Sequence, residues 1–390
     1  MKLYYIPIFI FAGLNLLTHI FVYIGIIRAR IYEKRVLRTV PAEKDRDRKS
    51  QQAPETVSLI IPARNEEGSL PALLLSLEKQ TEQDFELILV NDRSEDATAT
   101  IMEQFRARYP HKTVTIHLEE NPQTVNPKQY ALSRGIMEAS GELLLFTDAD
   151  CKISDRWVEL MVLFLRQPET DLVFAPVYTQ PGSAFLTNYQ TFDHIYRYFY
   201  TAGCAGMNMA TGGFGNNLGV RKTALERIGG YDTVRYTVTE DAALISSIRE
   251  YAAERIHGLT GDEVAVISTP QPSWRKLTQQ ELRWSSGAFF SPDIQTRLGY
   301  GAVMLFLAGA VISLFVIPFL PIMAVLSISI FMTMFIVALL GGIYTRMHFR
   351  NYWALVWPDI LFSGFYYLYI DLLVFLKVPI SWKGKKLKHR

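Results

Sequence analysis

Cysteine is nearly absent from this chain: Cys151 and Cys204 are the two thiols in 390 residues. They make neither a disulfide framework nor a cysteine-based metal motif. A strong net charge is missing too. The 40 basic and 38 acidic side chains leave +2, so no overall basic field argues for a nucleic-acid partner. Internal repeats and low-complexity tracts are absent. The glycine-rich run Gly212-Gly213-Phe214-Gly215 does not sit between a predicted strand and a helix, which rules out a dinucleotide fingerprint. A further absence is local: residues 4–27 and 301–345 contain no Asp, Glu or Lys.

Those two stretches point to a membrane. The apolar run 5–27 exceeds the ~20 residues a helical span needs. It lacks a small-x-small cleavage site before Arg28, so residues 1–28 read as a retained anchor rather than a signal peptide. Residues 29–54 are rich in charge and read as a juxtamembrane linker. The stretch 301–345 is long enough for a hairpin of two spans, turning near Pro318 and Pro321. A third segment, 352–378, is mostly apolar but carries Pro358, Asp359, Gly364 and Asp371, and fits both a spanning and an interfacial placement. The tail 379–390 is basic, as is the run from Arg28 to Arg38. Basic flanks mark the cytoplasmic side, which places the intervening domain, 55–290, in the cytoplasm. If 352–378 crosses, the basic tail emerges outside, against that tendency.

The domain alternates strand and helix patterns. Short apolar strands are expected at 57–62, 85–90, 114–118 and 142–147, and helices at 70–80, 96–109 and 129–139, with Gly141 as the C-cap of the last. Such alternation predicts an α/β fold with a mostly parallel sheet. Ligands bind beyond the carboxyl ends of such strands. Pro62-Ala63-Arg64-Asn65, Asn91-Asp92 and Asp148-Ala149-Asp150 all fall at these ends and define one rim.

Asp148 and Asp150, two apart at a strand end, point the same way. Paired carboxylates suit a hard divalent cation shared with phosphate oxygens, although a solvated turn also favours Asp. Asp92 suits a hydrogen bond to a base or ribose, or the capping of the next helix in competition with Ser94 and Asp96. Lys128 and Arg134 lie on the helix after Asn126-Pro127, where a cation meets either phosphate or solvent. Glu240-Asp241 opens a helix with Thr239 at its N-cap. These acids complement the helix dipole, or Asp241, with Glu240 second, acts as a general base. Gln280, Arg283 and Trp284 share one helical face, suited to diphosphate and a sugar ring or to a membrane surface. The aromatics Phe185, Tyr189, Phe192, Tyr196 and Phe199 recur at helical spacing and read as core.

Together these motifs resemble the family-two inverting glycosyltransferases of the GT-A fold, over about residues 55–290. The resemblance is carried by Val57 to Glu67, Val90-Asn91-Asp92, Lys128 through Gly135, Asp148-Ala149-Asp150, Thr239-Glu240-Asp241 and Gln280-x-x-Arg283-Trp284. It implies a nucleotide-sugar donor, most often a UDP-sugar, bound by Pro62, Arg64, Glu66, Asp92, Lys128 and Asp148. Asp148 and Asp150 would engage Mg²⁺ or Mn²⁺ with the diphosphate, and Asp241, seconded by Glu240, would be the base. Gln280, Arg283 and Trp284 would close over donor and acceptor. That last motif is typical of membrane-bound members such as polysaccharide synthases and ceramide-glucosyltransferase-like enzymes, and Trp382-Lys383-Gly384-Lys385 resembles a short tail of the latter.

The expectation is therefore an integral membrane enzyme, placed in a bacterial inner membrane with its catalytic domain in the cytoplasm. It would transfer a sugar to a lipid or lipid-linked acceptor and need no nucleic acid. A polysaccharide synthase subunit is the alternative, although so few spans make a single-chain channel doubtful. A catalytically silent nucleotide-sugar-binding subunit is another. A glycosidase fits poorly, since it has no use for a metal-type Asp pair on a nucleotide-binding rim.

Overall fold

A computed structural model describes residues 5–39, 55–120, 126–179, 182, 184–346, 350–382 and 385–387. Residues 40–54 of the expected linker, His348, and Lys383, Gly384, Lys388 and Arg390 of the tail lie outside the described residues.

The chain opens with helix α1 (Ile6–Leu37). This helix does not stop at Arg28; it carries the first basic cluster on its last three turns. Its buried positions include Ala12, Asn15, His19, Val22, Ile26, Ala29, Glu33 and Val36, spaced alternately three and four apart, with Gly25 beside them, the stripe a helix presents to a partner. The opposite face exposes Leu14, Leu17, Ile24, Ile27 and Ile31.

The first half of the central domain follows the sequence pattern. It runs β1 (Val57–Ala63), α2 (Leu70–Glu78), β2 (Glu86–Asn91), α3 (Thr98–Arg108), β3 (Thr113–His117), α4 (Pro127–Glu138) and β4 (Leu143–Thr147). β1 pairs in parallel with both β2 and β4, and β2 with β3. Pairing Ala63 with Asn91 aligns the ends of β1 and β2, so the three polar clusters share one rim. Gly141 is not a left-handed cap: among the described residues the positive-φ glycines are Gly229 and Gly230. Its constraint is space, because a Cβ there would lie 2.4 Å from Ser58 Oγ.

The second half is more irregular. It contains β5 (Cys151–Lys152), α5 (Trp157–Leu165), β6 (Leu172–Phe174), β7 (Val177–Thr179), α6 (Phe185–Gly206), β8 (Asn217–Arg221), α7 (Lys222–Arg227), α8 (Glu240–Ala252), β9 (Ile256–Gly258), β10 (Val266–Ser268) and α9 (Trp274–Phe289). The main sheet has the order β3-β2-β1-β4-β8-β6-β9. β8 runs antiparallel to β4 and β6, so the sheet is mixed though mostly parallel. A small sheet, β5-β10-β7, flanks it.

Three helices follow: α10 (Ile294–Val316), α11 (Ala324–Tyr344) and α12 (Arg350–Phe375), then the hairpin β11 (Ile380–Trp382) and β12 (Lys385–Leu387). Four helical segments, Ile6–Leu37, Ile294–Val316, Pro321–Tyr344 and Val356–Phe375, are long and apolar enough to cross a membrane. Before α12, Arg346 reaches Asp262 of the central domain at 3.8 Å. After it, β11 packs against α9. Both flanks of α12 therefore touch the central domain.

The membrane-type helices are fused to the central domain by close backbone contact. α1 crosses α6 where Gly25 meets Gly203 and Gly206. A Cβ on Gly25 would lie 1.8 Å from the Gly203 carbonyl oxygen, and one on Gly206 2.1 Å from that of Gly25. Further along, the buried carboxylate of Glu33 accepts from Thr260 N at 3.0 Å and Gly261 N at 2.8 Å. On its other side, α1 meets α11 through Asn15 Nδ2 to Thr333 Oγ1 at 3.3 Å and Tyr23 O–H to the Thr333 carbonyl at 2.8 Å. Gly25→Leu should lower the melting temperature in detergent by the equivalent of about 1–3 kcal/mol of overpacking. Gly13→Leu, where a Cβ meets nothing within 4 Å, should leave it unchanged.

Candidate active site

The rim is built first by backbone geometry. Asn65 and Arg93 follow β1 and β2 in the left-handed region, with φ of 53° and 56°, a conformation that Asn tolerates better than most residues and that is uncommon for Arg. The two loops hold each other: Asn65 N–H donates to Ser94 Oγ at 3.0 Å, and Glu95 N–H to Asn65 Oδ1 at 2.8 Å. Asp92 is buried, with Arg93 Nε donating to its carboxylate at 2.8 Å. Asp96, not Asp92, accepts from Thr98 N–H at 3.0 Å at the start of α3.

A cavity of ≈ 630 Å³ lies beside this rim. Lys128, Asp148, Asp150, Glu240, Asp241, Gln280, Arg283 and Trp284, eight of the residues singled out in the sequence, all line it. Pro62, Arg64, Glu66 and Asp92 do not. They sit on the neighbouring strand ends, one and two strands from Asp148. Arg134 is also away from the cavity and reaches Met137 Sδ at 3.5 Å.

Lys128 ties two motifs together. Asn126 caps α4 by accepting from Lys128 N–H at 3.0 Å, and the ammonium lies 2.7 Å from Asp148 and 3.4 Å from Glu240. Burial alone would lower the Lys128 pKa; the charges of Asp148 and Glu240 outweigh it and hold the ammonium firmly protonated. Asp148 and Asp150 both open onto the cavity while Ala149 turns into the core; they do so on a turn after β4, closed by Cys151 N–H donating to the Asp148 carbonyl at 3.1 Å, and not on the extended chain that the spacing suggested.

Glu240 and Asp241 separate by environment. Glu240 is 3% exposed and takes a 3.4 Å hydrogen bond from Asn126 Nδ2. Asp241 accepts from Gly215 N–H and Ala242 N–H, each at 2.8 Å. Burial, then the Glu240 charge, push the Asp241 carboxyl up to about 6, against the pull of Lys128 and the two N–H groups. Thr239 occupies the N-cap position, but its side chain makes no capping bond; it packs against Gly287 of α9.

The Gln-x-x-Arg-Trp segment is helical, as its spacing requires. Ser273 caps α9, and Arg283 donates to the Val238 carbonyl at 2.9 Å, just before the Glu-Asp pair. Beneath it lies a buried charge cluster absent from the sequence reading. Arg197 on α6 pairs with Asp193 at 2.9 Å and with Glu281, while Tyr367 of α12 donates to Asp193. The Arg197 guanidinium lies 5.5 Å from the Trp284 ring centre and 4.9 Å from that of Tyr367. Burial and then the two carboxylates act on Arg197 in opposite senses, and the carboxylates win, keeping it charged. Burial pushes Glu281 up, with Arg197 opposing.

His194, one residue from Asp193, also lines the cavity, 5.6 Å from the Trp284 ring and 5.9 Å from Phe214. Burial lowers it to about 4, so the imidazole is neutral. Neither ring nitrogen has a hydrogen-bond partner among the described residues. Four of the five aromatics of the α6 stripe are core, Tyr189, Phe192, Tyr196 and Phe199 being buried; Phe185, at the first position of the helix, is exposed. Asp193, His194 and Arg197 lie between those aromatics. The signal available for them was the i, i+4 pair of Asp193 and Arg197.

Among the described residues, no group of three or more His, Cys, Asp or Glu side chains gathers to hold a metal by itself. Asp148 and Asp150 offer two carboxylates facing one cavity. That suits an octahedral ion completed by substrate phosphates and water.

Fold and cavity together define a GT-A glycosyltransferase: a mostly parallel sheet with an Asp-x-Asp rim facing a buried carboxylate. The chain belongs to glycosyl transferase family 21, whose family model matches residues 17–390. The family-two-like motifs are thus carried by a family 21 member. Glycosyltransferase AglE of Haloferax volcanii is 30% identical over 143 residues, 36% of this chain and 45% of AglE. The poly-β-1,6-N-acetyl-D-glucosamine synthase of Staphylococcus epidermidis is 27% identical over 256 residues, 62% of this chain and 58% of the synthase. The chain spans about half the length of these curated relatives. Among solved structures, the mannosyltransferase PcManGT of Pyrobaculum calidifontis, in complex with GDP-Man and Mn²⁺, superposes with a TM-score of 0.50. It is 15% identical, with 93% of this chain and 99% of that one covered, a likeness of fold.

Two outcomes follow from the charges. Unfolded Asp ionises near 4, and Asp241 in the fold near 6, so between these values the folded chain holds the extra proton. Asp241 therefore favours the fold below that window, and the contribution is lost as pH rises through about 6. Asp241→Asn should melt above wild type at pH 8 and level with it near pH 4. Arg197→Met should cost about 3–5 kcal/mol in chemical denaturation, the penalty for stranding buried charge.

Proposed function

We propose that this protein transfers a sugar from a nucleotide-diphosphate sugar to the hydroxyl of a membrane lipid, with inversion at the anomeric carbon. One observation carries the reading: the cavity containing Asp241 and the Asp148/Asp150 pair continues to Thr18, Phe21 and Val22 of α1 and to Leu298, Val303 and Met304 of α10. A reaction chamber walled by membrane-type helices suits an acceptor anchored in the bilayer.

The donor is arranged along the rim. Strands lie ~4.8 Å apart, so from β2 to β4 is roughly 10 Å, about the reach from a base to its diphosphate. Asp92, with Pro62, Arg64 and Glu66, then serves the nucleoside, and Asp148, Asp150 and Arg283 the diphosphate. UDP-sugars are the first donors to test. Asp148 and Asp150 would hold Mg²⁺ or Mn²⁺, which neutralises charge on the departing diphosphate. Lys128 keeps Asp148 oriented and adds positive charge at the leaving group.

Asp241 is the base. The acceptor oxygen attacks the anomeric carbon, the bond to the diphosphate breaks, and Asp241 takes the hydroxyl proton. An Asp tuned to about 6 is ionised at neutral pH and more basic than an ordinary carboxylate. The cavity wall given by α1 and α10 contains no Lys, Arg or His, which favours an uncharged hydroxyl lipid over a lipid phosphate. Catalysis would take place on the cytoplasmic face, the side that the basic flank of α1 favours for the central domain.

A panel of radiolabelled nucleotide sugars, incubated with the full chain in lipid vesicles, should give a discrete organic-extractable product and release nucleotide diphosphate in a metal-dependent way. Asp241→Asn should lower the rate by about 10²–10⁴-fold. A long water-soluble polymer would overturn the single-transfer reading, and an unchanged rate in the Asn variant would remove the base.

A further inference from the structure

A bilayer-anchored acceptor needs a path to Asp241, and the packing of α1 beside α10 provides a candidate. The two helices touch where the Phe11 and Phe306 rings meet edge to face at 5.2 Å, with the Phe11 ring closing over Gly309. From that contact toward the central domain, both helices instead face the cavity. Thr18 and Phe21 line it on one side, and Leu298, Gly299, Val303 and Met304 on the other. The stretch of α1 from Phe11 to Val22 is roughly 16 Å long, about half the depth of a hydrocarbon core of ~30 Å.

This seam is open. Leu298 lines the cavity yet is 66% exposed. A Cβ built on Gly299 meets no atom within 4 Å. None of the residues that α1 and α10 contribute to the cavity lining is Asp, Glu, Lys, Arg or His, so a hydrocarbon chain passing between them meets no charge from either helix. The seam also joins the cavity that holds Asp241, which distinguishes it from an isolated apolar groove.

We propose that the seam between α1 and α10 is a lateral portal occupied by the hydrocarbon chain of the acceptor lipid, whose head group enters the cavity while the chain stays in the leaflet. The inference rests on the lipid-acceptor reading above. A portal of this kind avoids drawing the chain through water, where every exposed methylene adds to the cost. The Phe11–Phe306 contact closes the seam at its far end and sets how deep in the leaflet the chain can lie.

The test uses the full chain in vesicles with a long-chain hydroxyl acceptor. Gly299→Trp fills the seam. Gly301→Trp adds the same bulk about 200° around the helix, at a position that does not line the cavity and where a Cβ also meets nothing within 4 Å. Gly299→Trp should lower transfer to the long-chain acceptor by at least about tenfold, the order expected when a side chain occupies space a ligand needs. Gly301→Trp should not. Both should bind donor, and Gly299→Trp should lose far less transfer to a short-chain, water-soluble acceptor than to the long-chain one. Equal losses on both acceptors, or transfer equal to that of Gly301→Trp, overturn the portal. If Gly299→Trp fails to bind donor, a photoreactive benzophenone residue at Met304 decides. Light-dependent capture of radiolabelled long-chain acceptor, competed by unlabelled acceptor, supports the portal, and its absence overturns it. A wild-type chain that glycosylates neither acceptor removes the lipid-transfer reading itself.

Discussion

The close crossing of α1 and α6 is the constraint on which the rest of the architecture depends. With Gly25, Gly203 and Gly206 in backbone contact, α1 is held against the helix that also carries His194 and Arg197. Van der Waals packing at this distance falls away steeply with separation, so the crossing tolerates little sliding. Glu33 fixes the rotation and height of α1 by accepting from Thr260 and Gly261. The membrane-type helix and the domain that holds the cavity are thus packed as one unit, and the same contacts that seat α1 place the apolar wall of the cavity beside its carboxylates.

Two cations organise the charges in that cavity. Lys128 joins the Asp-x-Asp turn to the Glu-Asp helix start, and Arg197 joins α6 and α9 and, by way of Asp193 and Tyr367, α12. Each cation lies between acids that would otherwise repel one another or take up protons. The difference is what they leave over. Around Lys128, Asp241 keeps a carboxylate facing the cavity; around Arg197, the charges are used internally and the product is a fixed Trp284 ring. One cluster leaves a carboxylate open to the cavity and the other fixes shape.

Much of this was readable in the residues. The strands β1, β2 and β4 were legible because each is a mostly apolar run followed by a polar cluster; Asp148 stood out at such an end, Asp241 at a helix start, and Arg283 by its helical spacing from Gln280. The antiparallel β8 was not, since Asn217–Arg221 is short, mixed in polarity and follows a glycine-rich turn that looked like plain loop. His194 and Arg197 were masked by the aromatic periodicity of α6, whose apolar residues argue for core and say nothing of the polar side chains between them. Gly141 shows a different limit: its position after a helix suggested a cap, but the reason for glycine is Ser58, 83 residues away in the chain. The placement of α12 depends on contacts at both its flanks, and no local pattern encodes those.

On the proposed lipid-acceptor reading, the continuity between the carboxylates and the membrane-type helices changes what concentration means for this protein. The donor would arrive from a volume and be counted per litre, whereas an acceptor confined to the leaflet beside α1 and α10 would be counted per unit area. Adding inert lipid would dilute one substrate without touching the other. Saturation would then follow the mole fraction of acceptor in the bilayer, and two membranes holding the same amount of acceptor would support different rates according to how thinly it is spread.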